Sequence, residues 1–287
     1  MRLFDPWNSP LCTCPLKFTL NPYTGCAHGC IYCYARSYIR NFNNPRPKKK
    51  LILNLLHDLD FIPKGSIISM SESSDPYTPP EAKYGITRKV LETLNGKKFR
   101  ILIVTKSDLV LRDADILKNN SSSVALTITT YRSEIASKIE PGAPTPSRRL
   151  NAIKRLSNEG IPVVARIDPI IPYINDDPNE LKNLVQLLSK LGVKQIISST
   201  YKARRDSLKR LISVYPHLKE KLVNLYIRNG SWRNGYYYLP IHIRLKYMIL
   251  MKKLTENLGL AFATCREGLT FLHTPGMYCD GSSFLFY

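Results

Sequence analysis

Along its first two hundred residues this chain alternates short β-like runs with amphipathic helical stretches, and that alternation constrains the fold more than any other feature. The β-like runs cover residues 17–21, 66–71, 100–105, 124–130, 161–168 and 195–199. Helix-like stretches cover 31–42, 51–60, 87–94, 108–119, 147–158 and 178–191. Strand followed by helix, repeated, implies parallel strands joined by helical crossovers. Residues 101–104 and 161–165 are apolar on both faces, as buried parallel strands are. Six such strands suit an open (β/α)6 partial barrel better than a closed eight-fold one. The expected class is α/β, with residues 1–200 forming the partial barrel and its N-terminal lead-in. Residues 201–287 read as a mainly helical C-terminal extension, with a long helix over 241–257, covering or flanking the barrel.

With 287 residues, 44% of them hydrophobic, the chain can bury a sizeable core. No run approaches the ~20 apolar residues that cross a bilayer, and residues 1–10 lack a secretory core, so no membrane partner and a cytoplasmic location are expected. Lysine and arginine number 42 against 22 acidic residues, a formal charge of +20. Such a field attracts polyanions, nucleic acid first among them. Two basic clusters stand out, Arg46-Pro47-Lys48-Lys49-Lys50 and Lys202 to Arg210; either also reads as a solvated helix face. The seven cysteines are clustered, which in a chain without an export signal points to metal rather than disulfides.

The densest cluster is Cys26-Ala-His-Gly-Cys30-Ile-Tyr-Cys33-Tyr34. Thiolates are soft, anionic ligands suited to iron–sulfur clusters, and Gly25 and Gly29 give the loop the freedom to wrap one. Zinc, with His28 or a distant cysteine as fourth ligand, is the competing reading, beside a simple electron-transfer cluster.

A C-x3-C-x2-C loop followed by an aromatic resembles the signature of the radical S-adenosylmethionine (SAM) superfamily. Four further segments resemble the branch related to spore photoproduct lyase, whose members are often labelled DNA repair photolyases. They are Asn21-Pro22-Tyr23-Thr24-Gly25-Cys26, Ser73-Ser74-Asp75-Pro76-Tyr77, Glu140-Pro141-Gly142-Ala143 and Asp168-Pro169-Ile170-Ile171-Pro172. Together they span residues 17–200 or so. The resemblance implies a radical SAM partial barrel with a [4Fe–4S] cluster on Cys26, Cys30 and Cys33. It implies SAM bound at the open iron, an electron donor of flavodoxin or ferredoxin type, and reductive cleavage to a deoxyadenosyl radical that abstracts hydrogen from a substrate. It places Ser73, Ser74 and Asp75 near the SAM amino group, against a plain Asp-Pro turn. Lys106 and Arg166 fall toward the SAM carboxylate, and Thr127, with Thr129, on one face of the fourth strand. Tyr32 and Tyr34 flank Cys33, Tyr34 against the adenine; His28 is a supporting or surface residue. No catalytic side chain beyond these is assigned.

The resemblance has a departure. Spore photoproduct lyase has a hydrogen-donating cysteine just after the second strand, where this chain reads Ser71-Glu72-Ser73-Ser74, so the same reaction is not expected. A radical SAM enzyme acting on nucleic acid fits the charge and the Tyr236-Tyr237-Tyr238 run, whose rings can stack on bases. Peptide or small-molecule chemistry is the alternative, and a non-enzymatic nucleic-acid-binding metal module the third. Cys12, Cys14, Cys265 and Cys279 remain, enough for a tetrahedral zinc or a second cluster; the other reading is free thiols, one donating hydrogen.

Overall fold

The computed structural model describes residues 1–4, 9, 11–70 and 72–286; Ser71 of the segment just quoted lies outside them. Its main sheet has eight strands. β1 (Arg2–Leu3) is antiparallel to β2 (Phe18–Thr19). From β2 onward every neighbour is parallel: β3 (Ile67–Met70), β4 (Arg100–Thr105), β5 (Ser122–Thr127), β6 (Val163–Ile170), β7 (Gln195–Thr200) and β8 (Ala261–Thr264). Strands join in chain order, as in a barrel and unlike a doubly wound sheet.

All six expected strands are present. A further parallel strand, β8, comes from the C-terminal stretch and pairs with β7 from Ala261↔Gln195 to Thr264↔Ser198. The extension therefore completes the sheet as well as adding α6 (Arg205–Val214), α7 (Ile241–Glu256) and a hairpin of Ser231–Arg233 with Tyr236–Tyr238.

The crossover helices are α1 (Leu51–Leu59), α2 (Ile86–Leu94), α3 (Ser133–Ile139), α4 (Pro146–Asn158) and α5 (Pro178–Lys190). Proline opens α4 and α5, where a missing N–H is harmless. Asp177 caps α5 by accepting from the N–H groups of Asn179 and Glu180, each at 2.9 Å. Two expected helices differ. Residues 108–119 fold as a 3-10 helix, Asp108–Asp113, followed by one α-turn, Ala114–Leu117. Residues 31–42 contain only a 3-10 turn, Ala35–Ser37. Side chains take carbonyls at its start and just before it: Arg210 bonds those of Ile31 and Cys33, and Arg36 those of Gly29 and Cys30.

Alternation along the strands separates two faces. Val124 and Leu126 of β5 pack outward in the main apolar core, while Ala125 faces Val164, Ile197 and Phe284 inside the barrel. The C-terminal segment fills the amino end of this lumen. Ser123 Oγ donates to the Gly281 carbonyl at 2.9 Å, and Arg100 Nε to that of Leu285 at 3.0 Å. A side chain at Gly281 would press on Ala125 and Val164. The opposite end, at the carboxyl termini of the strands, is left for the cysteine loop. No helix among the described residues is long and apolar enough to cross a membrane.

Candidate active site

The cysteine loop leaves a short ribbon, Tyr23–Thr24 paired with Arg46–Pro47. Cys26 N–H donates to the Phe42 carbonyl at 2.8 Å. A Cβ at Gly25, whose φ is +88°, would stand 2.4 Å from that same oxygen, so only glycine fits. On the other side the Glu140-Pro141-Gly142-Ala143 segment lies flat against the loop. Gly142 N–H donates to the His28 carbonyl at 2.8 Å, and Ile31 N–H to that of Ile139 at 3.0 Å. Ala27 N–H bonds Thr78 Oγ1 at 2.9 Å. Arg210 completes the brace, with Nε 3.0 Å from the Ile31 carbonyl and Nη2 2.9 Å from that of Cys33. Cys26 and Cys30 are buried and Cys33 half-buried. Burial pushes the Cys26 thiol up to about 12 and Cys30 higher still. Among the described residues no three His, Cys, Asp or Glu side chains stand already arranged to hold a metal ion.

Asp75 is the hub beneath the loop. Its Oδ1 accepts from Thr105 Oγ1 at 2.6 Å and Tyr77 N–H at 2.9 Å; its Oδ2 accepts from Lys106 N–H at 2.8 Å. His28 Nε2 lies 3.2 Å from Oδ2, without hydrogen-bond alignment. Burial opposes charge on Asp75, but His28, Thr105 and the Lys106 N–H outweigh it and hold its pKa below the usual value. Ser74 Oγ donates to the Tyr23 carbonyl at 2.9 Å. Ser73 N–H and Glu72 N–H both donate to Asn21 Oδ1, at 3.3 and 3.1 Å. Ser74 and Asp75 are thus committed internally, while the Ser73 side chain is half-exposed. His28, which the sequence left open between support and surface, is buried at 2% exposure.

Lys106 leaves the end of β4 with Nζ 5.6 Å from the centre of the Tyr32 ring. Burial disfavours its charge, but Cys30, Glu140 and Asp75 outweigh that and raise its pKa. Tyr32 Oη donates to Glu140, which pairs with Arg149 at 2.6 Å; Arg149 is 1% exposed. Arg149 Nη1 donates to the Thr127 carbonyl at 3.2 Å, tying this buried pair to β5. Tyr34 Oη donates to the Glu72 carbonyl at 2.8 Å, and its ring meets Tyr236 edge-on at 6.3 Å. Thr127 follows Ala125 by two on β5, on the lumen face. Arg166, its pairing partner on β6, forks to Asp168 and to the Cys279 carbonyl, the latter at 3.3 Å. Arg166 is therefore anchored to the C-terminal tail.

Sequence reasoning missed Arg149, Arg210 and Glu267. Arg149 had a signal: it occupies the same stripe of α4 as buried Ala152, Ile153 and Leu156, where an arginine needs a partner. Glu267, buried, accepts from Thr200 N–H at 2.7 Å and Lys202 Nζ at 2.8 Å, fixing the end of β7; nothing local marks it.

The radical SAM superfamily model matches residues 20–201. The chain belongs to the radical SAM superfamily and is an enzyme of that class. Among its relatives, protein MJ0683 of Methanocaldococcus jannaschii is 38% identical over 56% of this chain, and the match spans 62% of that protein, less than two thirds. The Radical SAM Nalpha-GlyT isomerase of Pseudomonas phage M6 is 23% identical over 86% of this chain and 53% of its own length. Among solved structures, spore photoproduct lyase with bound AdoMet and dinucleoside spore photoproduct superposes with a TM-score of 0.68 at 16% identity, covering 88% of this chain and 76% of that one. Streptococcus suis SuiB bound to S-adenosylmethionine gives 0.55 at 16%, covering 87% and 51%. These superpositions bear out the radical SAM fold; the superfamily implies SAM and an iron–sulfur centre.

Proposed function

We propose that Cys26, Cys30 and Cys33 hold a [4Fe–4S] cluster whose remaining iron takes SAM, and that the enzyme abstracts hydrogen from a nucleic-acid substrate. The donor set fits: three soft thiols on one loop, which Arg210 and Gly142 brace through its backbone. Bound there, with an electron from a flavodoxin- or ferredoxin-type donor, the cluster supplies the reduction that splits SAM into methionine and a 5′-deoxyadenosyl radical. Within the chain, Lys106 presents a fixed cation to the SAM carboxylate, held over Tyr32. Ser73 and Thr127 offer hydroxyls, and Tyr34 a ring face for the adenine. Ser74, Asp75 and Tyr32 act by position, locking the loop to β3 and β4. Arg166 contributes its charge to the lumen wall from its place beside the tail. Residues 1–200 carry the cofactors, while 201–287 add the last strand of the sheet, β8, and the substrate-facing hairpin; cytoplasmic electron donors suit this chemistry.

The observation that carries the nucleic-acid reading is the hairpin beside the cysteine loop. Tyr236 meets Tyr34, and Arg204 lies 5.1 Å over the Tyr236 ring. Trp232, 52% exposed, packs on Tyr237 at 4.4 Å with Arg205 at 5.8 Å. Tyr236 and Tyr238 are buried, contrary to the expectation that the whole run stacks on bases, so the face open to a base is Trp232 with half-buried Tyr237, flanked by Arg205. The bound dinucleoside in the spore photoproduct lyase structure agrees with this choice, whereas the peptide reading has SuiB, solved with its precursor peptide SuiA, as its counterpart.

The test uses anaerobically reconstituted protein with dithionite and SAM. 5′-Deoxyadenosine should form, and disappear in a Cys26→Ala, Cys30→Ala, Cys33→Ala variant. Trp232→Ala should keep uncoupled SAM cleavage and weaken single-stranded DNA binding by about 1–3 kcal/mol. Unchanged DNA binding in that variant would remove the nucleic-acid assignment and leave peptide or small-molecule chemistry.

A further inference from the structure

Four cysteines stand apart from the cysteine loop: Cys12 and Cys14 before β2, Cys265 directly after β8, and Cys279 in the tail. Cys14 and Cys279 are 265 positions apart in sequence, yet the fold brings all four together. Thiol contacts run as a chain, from Cys12 to Cys14, from Cys14 to Cys279, and from Cys279 to Cys265. The central pair has its sulfurs 3.7 Å apart, far beyond the ~2.05 Å of a disulfide. Thr13 Oγ1 donates to Cys279 Sγ at 3.5 Å. Cys279 is 1% exposed and the other three are half-buried.

A tetrahedral ion with metal–sulfur bonds of about 2.3 Å spaces its sulfurs about 3.8 Å apart. The Cys14–Cys279 separation is one edge of that figure. Two cations lie beside the set, each already paired: Lys17 with Asp280 and Arg166 with Asp168. The remaining two thiols sit at the ends of the chain and do not yet converge on one point; rotation about their Cα–Cβ bonds is the adjustment that closure requires.

We propose that Cys12, Cys14, Cys265 and Cys279 bind a single zinc ion in a second metal site, which fastens the N-terminal lead-in to the C-terminal tail. The thiol protons pass to solvent as the zinc–sulfur bonds form, with no change of oxidation state. Four thiolates close the coordination sphere, so the ion is structural and takes no substrate. The proposal is independent of the radical reading, because it uses none of Cys26, Cys30 and Cys33.

The experiment measures zinc, iron and sulfide in the full chain purified anaerobically. It compares the wild type, the Cys26→Ala, Cys30→Ala, Cys33→Ala variant and a Cys12→Ser variant. About one zinc per chain should remain in the triple variant. Cobalt exchanged into that variant should show the intense visible bands of a tetrahedral tetrathiolate. Cys12→Ser removes a half-buried ligand and leaves three. It should fold, as circular dichroism will show, and yield its zinc to a chelator at least about tenfold faster. Three results would overturn the site: no zinc with four alkylatable thiols, a Cys14–Cys279 disulfide, or unchanged zinc release from folded Cys12→Ser. Iron and sulfide retained in the triple variant instead of zinc would overturn it as a zinc site and indicate a second cluster.

Discussion

Gly142 rests directly on the cysteine loop: a Cβ at this position would lie 2.3 Å from the carbonyl oxygen of Ala27 and 3.1 Å from the backbone of His28. Both obstacles are backbone, so neither can swing aside. Gly142→Ala should displace the loop, cost about 1–3 kcal/mol, and cut the iron retained after reconstitution severalfold. Thermal denaturation and iron analysis check this; wild-type iron retention would show that the contact does not position the loop.

Arg210 reaches two loop carbonyls with one guanidinium and pairs with Asp206 through its third nitrogen. Lysine keeps the charge but not the fork. Arg210→Lys should lower stability by about 1–3 kcal/mol and raise the rate of iron loss in air. The fold, read by circular dichroism, should be unchanged.

Lys17 and Asp280 form a buried pair at 2.8 Å, exposed by 2% and 5%. Without Asp280 the buried ammonium keeps only Glu72 among the described carboxylates, 3.8 Å away. Asp280→Ala should cost about 3–5 kcal/mol in chemical denaturation, and Lys17→Met with Asp280→Leu should recover much of it. A single variant with wild-type stability would mean the tail is not seated in the lumen.

His273 is half-buried, its Nε2 3.0 Å from Thr264 Oγ1, and desolvation lowers its pKa below the ordinary 6.5. The unfolded chain therefore binds this proton more readily than the folded one. The stabilisation is full above the unfolded pKa, and is lost as pH falls from about 6.5 through the folded pKa. Denaturation midpoints at about pH 7.5 and 5.5 should differ more in the wild type than in His273→Gln. Equal differences would show that this imidazole is not what the acid limb reports.

The periodic parts of the fold were legible because their signals are local. β4 and β6 announce themselves by apolar runs, and α4 and α5 by their amphipathic pattern. The segment over 31–42 misled because its pattern is helical, but the carbonyls of Ile31 and Cys33 at its start are taken by Arg210, remote in sequence. β8 was missed because Ala261–Thr264 is four residues long and becomes a strand only beside β7. Within the site, cysteine spacing was readable. That Asp75 bonds Thr105 and Lys106 depends on the pairing of β3 with β4, which spacing does not encode.

The tie between Lys17 and Asp280 also sets an order of events. A chain emerging amino end first carries its lysine through the assembly of β3 to β7 before its partner, 263 positions later, exists. Glu72, at 3.8 Å, is the nearer anion in sequence. Closing so long a loop is entropically expensive and falls late. The floor of the barrel is therefore the last part to set, and the lumen stays open from below until the tail has been made.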